Sequence, residues 1–234
     1  MNPHKIFKHL QSQSDESGLT IIESLVAIIV VSIMLVSIAP VLTLSVANRL
    51  QAKQTEAATK AAQAYIDGIR SGTIDHPPVM RKGDDTLGKY NAPQTGNLTC
   101  NDANKKEYCT APANNLFCID GDGEDVKNAG DKYKCTKDSH RDMIVQGFGY
   151  VPDPDRSKGY RSYKLGVRVY RADAFALSGK LLKHSDTGVE GKKQSSFGYF
   201  KKKTPLLETT SEIEVDDSSE FDKLCKKAGF QNCF

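Results

Sequence analysis

From Leu19 to Arg70 the chain offers little that would stop a helix: after Gly18 the next glycine is Gly68, and Pro40 is the only proline between them. The first part of this stretch, Leu19 to Ala47, is apolar, and Glu23 is its only charge. At about 1.5 Å per residue the run reaches roughly 44 Å, more than the ~30 Å hydrocarbon core of a bilayer. A carboxylate in hydrocarbon is costly unless it finds a partner, so Glu23 is a functional-site residue by default.

Two plainer readings compete. A simple membrane anchor accounts for the run and leaves Glu23 unexplained. Ser45-Val46-Ala47 imitates a signal-peptidase site, but a secretory apolar region spans only about 7 to 15 residues. Beyond the run, Leu50, Ala57, Ala58, Ala61, Ala62, Tyr65, Ile66 and Ile69 recur at three- and four-residue steps, with Arg49, Lys53, Glu56, Lys60 and Asp67 on the other faces. The spacing predicts one helix over 19–70, apolar over 19–47 and amphipathic over 48–70. Pro40 removes a backbone donor inside it and predicts a kink.

The order of parts, a polar leader with Lys5 and Lys8, then Gly18, Leu19, Thr20 and Glu23, a long apolar helix and Pro40 within it, resembles a type IV prepilin. The resemblance implies that a prepilin peptidase removes residues 1–18 by cutting after Gly18 and methylates the new terminus at Leu19, where the family usually carries phenylalanine. It implies that Glu23 meets the terminal amine of a neighbouring subunit in a helical filament. It further implies an inner-membrane, single-pass chain with its C-terminal domain in the periplasm, later moved into a filament. The partners it implies are prepilin peptidase, other pilin or pseudopilin subunits and an inner-membrane assembly platform. The expected fold is α+β and pilin-like: the long helix packed on a small antiparallel sheet, with a globular head over 71–234 and a disulfide-stabilised loop region.

All six cysteines, Cys100, Cys109, Cys118, Cys135, Cys225 and Cys233, lie in that head. An even count in a portion facing an oxidising compartment favours disulfides. No Cys-x-x-Cys pair supports zinc. Six cysteines allow 15 connectivities, and only the local pairs Cys225–Cys233 and Cys118–Cys135 stand out. Between the latter two, Asp120, Asp122 and Glu124 alternate and Asp131 falls twelfth in the window, an EF-hand-like spacing that suggests calcium. Asp125, however, sits where the sharp turn of that loop needs glycine, so a solvated acidic loop is the simpler reading. No cofactor is required.

The net charge of +3 hides a division: from Arg156 to Lys203 there are thirteen Lys or Arg against three acids. Lys192, Lys193, Lys201, Lys202 and Lys203 form a candidate polyanion contact, with acidic polysaccharide preferred to nucleic acid. A solvated face is the simpler alternative. Catalysis has little support, because His76, His140 and His184 are scattered and no nucleophile elbow, phosphate loop or metalloprotease motif accompanies them. The chain reads as a non-enzyme.

Gly68, Ser71, Gly72, Pro77 and Pro78 end the long helix and open a stretch rich in Gly, Asn, Asp and Lys that runs to about Arg141. Strands are expected at Met143 to Tyr150, through Tyr163, Leu165, Val167 and Val169, at Phe197 to Lys203, and through Leu207, Thr209, Ser211, Ile213 and Val215. A short helix capped by Ser219 and stopped at Gly229 follows. One core should suffice.

At finer grain, Ile21-Ile-Glu-Ser-Leu-Val-Ala27, the Ala64-to-Gly72 end of the long helix, Val167-to-Phe175 and Pro205-to-Ile213 resemble the hormogonium polysaccharide secretion pseudopilins of filamentous cyanobacteria. That resemblance implies a minor filament subunit supporting polysaccharide export and gliding motility. The alternatives are a surface-binding pilin, adhesin or DNA-uptake module using the basic block, and a membrane-anchored periplasmic protein that does not assemble.

Overall fold

A computed structural model describes residues 20–83, 87–100, 107–121, 135–152, 161–187 and 202–231. Helix α1, Ile21–Arg70, continues through Pro40. The chain divides into two compact units, one ending at Leu50 and the other beginning at Gln51.

The second unit is α+β. Its sheet contains β1 (Met80–Lys82), β2 (Leu116–Ile119), β3 (Met143–Val151), β4 (Ser162–Arg171) and β5 (Leu207–Glu214), in the order β1-β3-β4-β5, with β2 also paired to β3. The pairs β2–β3, β3–β4 and β4–β5 are antiparallel, but β1 runs parallel to β3, Met80 opposite Gly149. The sheet is therefore mixed, not antiparallel as the sequence suggested. Parallel pairing needs a crossover connection, and the long polar stretch after β1 supplies it. That stretch also contributes β2, which hydropathy periodicity did not reveal.

Each face of the sheet is covered by something different. On one face, Ala58, Ala61, Ala62, Tyr65 and Ile69 of α1 pack with Val145, Leu165, Val167 and Ile213. The small alanines bring the helix close, and Gly147 receives Tyr65: a Cβ there would lie 1.8 Å from the Tyr65 hydroxyl. Tyr65 bonds Tyr108 at 2.7 Å, and Tyr108 donates to the Asp75 carbonyl at 2.8 Å, so the buried hydroxyls are satisfied. On the other face, Leu116, Ile144, Tyr170, Phe175 and Leu181 form a second apolar cluster with Cys109 and Cys135. Two cores thus replace the expected one, because residues of both alternating sets on β3 and β4 are buried.

Disulfides link Cys100 to Cys109 and Cys118 to Cys135. Cys225 is also disulfide-bonded, while Cys233 lies outside the described residues. The second helix, α2 (Ser218–Lys227), is capped by Asp217, whose side chain accepts from the Ser219 N–H at 2.7 Å; Ser219 is not the cap. Phe221, Leu224 and Cys225 face inward, and Gly229 ends the helix at φ 96°. Lys202 and Lys203 are helical rather than part of a strand, and 197–201 lie outside the described residues.

Candidate functional site

The beginning of α1 explains part of Glu23 locally. Thr20 precedes the helix, and its Oγ1 accepts the Glu23 N–H at 3.3 Å. Glu23 is then the third helical residue of a Thr-x-x-Glu start, where a carboxylate also suits the positive end of the helix dipole. The cap was not among the sequence expectations, although Thr20 three residues upstream of Glu23 is its signal. Gly18 and Leu19 lie outside the described residues.

The cap does not account for what surrounds it. The large apolar side chains from Ile21 to Leu50 are exposed, from 45% for Val30 to 88% for Ile21. The span has a mean hydropathy of 2.9 over its most apolar window, and α1 is long and apolar enough to cross a membrane. Four of its hydroxyls are turned inward to the backbone: Ser24 donates to the Ile21 carbonyl at 2.8 Å, Ser32 to Ile28 at 2.7 Å, Ser37 to Met34 at 2.7 Å and Thr43 to Pro40 at 2.8 Å. Internal satisfaction of polar groups is what a hydrocarbon setting demands. Pro40 offers no N–H to the Val36 carbonyl, and the helix continues past it. Among the described residues from Thr20 to Ala47, Glu23 is thus the one ionisable side chain on an otherwise apolar, exposed helix surface.

In the second unit the basic block is not simply a solvated face. Arg168 is fully buried: it donates to Glu208, to the Gln146 side chain at 3.3 Å and to the Leu87 carbonyl, and it lies over the Phe148 ring at 4.9 Å. Lys203 donates to the Ser178 carbonyl at 2.7 Å. Lys202 reaches Asp173 at 3.4 Å. Lys192, Lys193 and Lys201 lie outside the described residues.

Asp173 gathers cations that are distant in sequence. Its carboxylate, 5% exposed, accepts Arg171 through Nε at 2.8 Å and through Nη2, faces His140 Nδ1 at 3.1 Å, and pairs with Lys202. Burial pushes its carboxyl up, but the Arg171 bonds and the charges of Arg171 and Lys202 outweigh burial and hold it below the ordinary carboxylate range. Nearby, buried Asp142 accepts from the Gly121 N–H at 3.2 Å and the Thr136 N–H at 2.9 Å, fixing both sides of the Cys118–Cys135 connection. Of the proposed calcium residues, Asp120 is described, whereas Asp122, Glu124 and Asp131 lie outside the described residues. Among the described residues no three His, Cys, Asp or Glu side chains are grouped to hold a metal.

The remaining histidines do not converge. His76 joins three segments: Nδ1 lies 2.7 Å from the Tyr163 hydroxyl and Nε2 3.6 Å from Glu220. Burial pulls its pKa below the ordinary histidine value, opposed by the charges of Glu220 and Asp75. In the tautomer with its proton on Nε2, toward Glu220, Nδ1 accepts from the Tyr163 hydroxyl. His184 sits beside a shallow recess lined by Leu87, Leu206 and Glu208.

No family model, curated protein or solved structure matches this chain.

Proposed function

We propose that the chain is a minor pilin or pseudopilin subunit, released from its leader by cleavage after Gly18 and assembled through the apolar half of α1 into a type IV pilus-like filament. The observation that carries this reading is the pairing of Glu23 with an apolar helix surface left bare in the single chain. Such a surface needs lipid before assembly and neighbouring helices after it, and an ordinary anchor gives no use for a carboxylate near its start. The Thr20 cap supports the reading further, since helix α1 starts only a few residues beyond the proposed cut and Thr20 would survive processing. The separate, disulfide-bonded unit from Gln51 onward is the part that would meet an oxidising compartment. By resemblance, the filament supports polysaccharide secretion and gliding motility, with prepilin peptidase, an inner-membrane assembly platform and other subunits as partners.

The test is mass spectrometry of the membrane-extracted chain with and without the cell's prepilin peptidase. The reading requires a methylated terminus at Leu19 that disappears with the peptidase. A chain beginning at Asn48 would replace it with a secretory signal.

A further inference from the structure

The path β1-β3-β4-β5 has a basic strand at one edge and an acidic strand at the other. β1 carries Arg81 and Lys82, both exposed, and no acid, whereas β5 carries Glu208, Glu212 and Glu214 and no base. Arg81 is held by rings and not by a counter-charge. Its guanidinium lies 5.2 Å from the centre of the Tyr90 ring, Tyr90 stacks on Phe148 at 4.3 Å, and buried Arg168 lies over Phe148 at 4.9 Å. Lys82 lies 4.6 Å from the centre of the Phe230 ring. Among the described residues Arg81 has no ion pair, so the stack positions its guanidinium and leaves the N–H donors available. Asp84 and Asp85 lie outside the described residues.

At the opposite edge Glu212, Glu214 and Asp216 are exposed at alternate positions. Glu212 accepts from the Ser162 hydroxyl at 2.7 Å and stands opposite Lys164, and Arg161 donates to the Asp216 carbonyl at 3.2 Å. Glu214 stands opposite Ser162 and meets no cation among the described residues. Arg81 is level with Tyr150, Tyr150 with Lys164, and Lys164 with Glu212. Arg81 and the free glutamate therefore lie at the same end of the sheet, separated by the spacing of the strands between them, about 14 Å. β1 and β5 also run in the same direction, because β1 is parallel to β3 and β3 reaches β5 through two antiparallel pairings.

We propose that the basic edge of one copy docks on the acidic edge of a second copy, Arg81 against Glu214, joining the second units head to tail. This goes beyond assembly through α1 and uses residues after Gln51 alone. A planar guanidinium with open donors suits a carboxylate that lacks a cation. A two-fold arrangement would set β1 against β1 or β5 against β5, like charge on like, so the charges favour the heterologous join. Such a join leaves a free edge of each kind at its ends and so can repeat in one direction. An exposed ion pair contributes little affinity by itself. The contact accordingly sets the orientation of neighbours, while confinement of copies in one bilayer supplies their concentration.

The experiment is zero-length carbodiimide cross-linking of the full-length chain carrying Arg81→Lys, reconstituted at high density in vesicles of neutral phospholipid and read by mass spectrometry. Arg81→Lys keeps the charge and gives the reagent an amine. Positions 81 and 214 stand at opposite edges of one sheet, so a link between them joins two copies, and an equal mixture of unlabelled and nitrogen-15-labelled chains verifies this by mixed-isotope pairs. The 81–214 link should be at least about tenfold more abundant than links from position 81 to the exposed carboxylates of Asp67 and Asp138, and should fade at about 1 M salt. Arg81→Glu combined with Glu214→Lys should restore the link with the charges exchanged. An absent 81–214 link overturns the proposal. So do links from position 81 spread evenly over exposed carboxylates, coupling to Asp84 or Asp85 of the same chain in place of Glu214, or no link in the charge-exchanged chain with an unchanged melting curve. The vesicles hold this chain alone, so none of these results depends on processing or on entry into a filament.

Discussion

The two ends of α1 are one helix with opposite surroundings. From Ile21 to Leu50 its large apolar side chains are exposed, and Ser24, Ser32, Ser37 and Thr43 bond to their own backbone. From Gln51 to Arg70 its inward face is made of alanines, Tyr65 and Ile69, packed against a sheet, while charges such as Glu56 and Lys60 pair on the outward face at 2.7 Å. The difference teaches that continuity of a helix says little about what it is for. The later half is finished within its own unit. The earlier half carries a surface that the described residues of its own unit leave exposed.

That contrast predicts very different costs for truncating an apolar side chain in each half. Tyr65→Ala should destabilise the second unit by about 3 to 5 kcal/mol, since it removes a fully buried ring and its hydrogen bond to Tyr108. Leu35→Ala should change the melting of that unit by less than about 0.5 kcal/mol. Thermal or denaturant unfolding in detergent measures both, and equal costs would erase the distinction between the halves.

Breaking the Cys118–Cys135 bond with serines should cost about 2 to 4 kcal/mol of the same unit's stability and leave the helicity of the 21–50 segment intact. Asp142 also ties the described ends of that connection, at Gly121 and Thr136. Loss of signal from the first half of α1 upon reduction would mean that the two regions are not independent.

A smaller effect should appear on acidification, again confined to the second unit. His76 is depressed in the fold, so its contribution is complete above the unfolded value of about 6.5 and is lost as pH falls from there through its folded value. Asp173 is also depressed, so its share is complete above about pH 3.9 and is lost as pH falls through its still lower folded value. Melting temperature followed from pH 8 to pH 3 should decline in these two windows. His76→Gln should flatten the upper decline and Asp173→Asn the lower one.

Much of this fold was legible in the sequence, and the exceptions have physical causes. The absence of breakers outlined α1, and hydrophobic runs and alternation outlined β3, β4 and β5, because each strand pairs over eight residues or more. β1 was hidden because Met80-Arg81-Lys82 buries only Met80 and its partner strand is far along the chain. β2 is a short apolar run between polar turns, too brief to show a period. Asp216, Asp217, Ser218 and Ser219 are all capping residue types, so composition alone could not choose Asp217. The cations around Asp173 were illegible for a different reason: residues 140, 171 and 202 meet only through the pairing of β3, β4 and β5. Even the burial of Arg168 required a partner, Glu208, on the next strand.

The central claim is that the bare half of α1 is completed by neighbouring subunits through Glu23. Glu23→Gln keeps the side-chain shape and eases entry into the bilayer, but it removes the charge that would meet the Leu19 amine of a neighbour. The decisive measurement is the ratio of this subunit in sheared filaments to that in membranes, for wild type and Glu23→Gln, with processing monitored in both. The account predicts that the variant is processed and membrane-resident at the wild-type level yet depleted at least about tenfold from filaments, since stranding a buried charge costs roughly 3 to 5 kcal/mol. Wild-type abundance of Glu23→Gln in filaments, with processing unchanged, would contradict it.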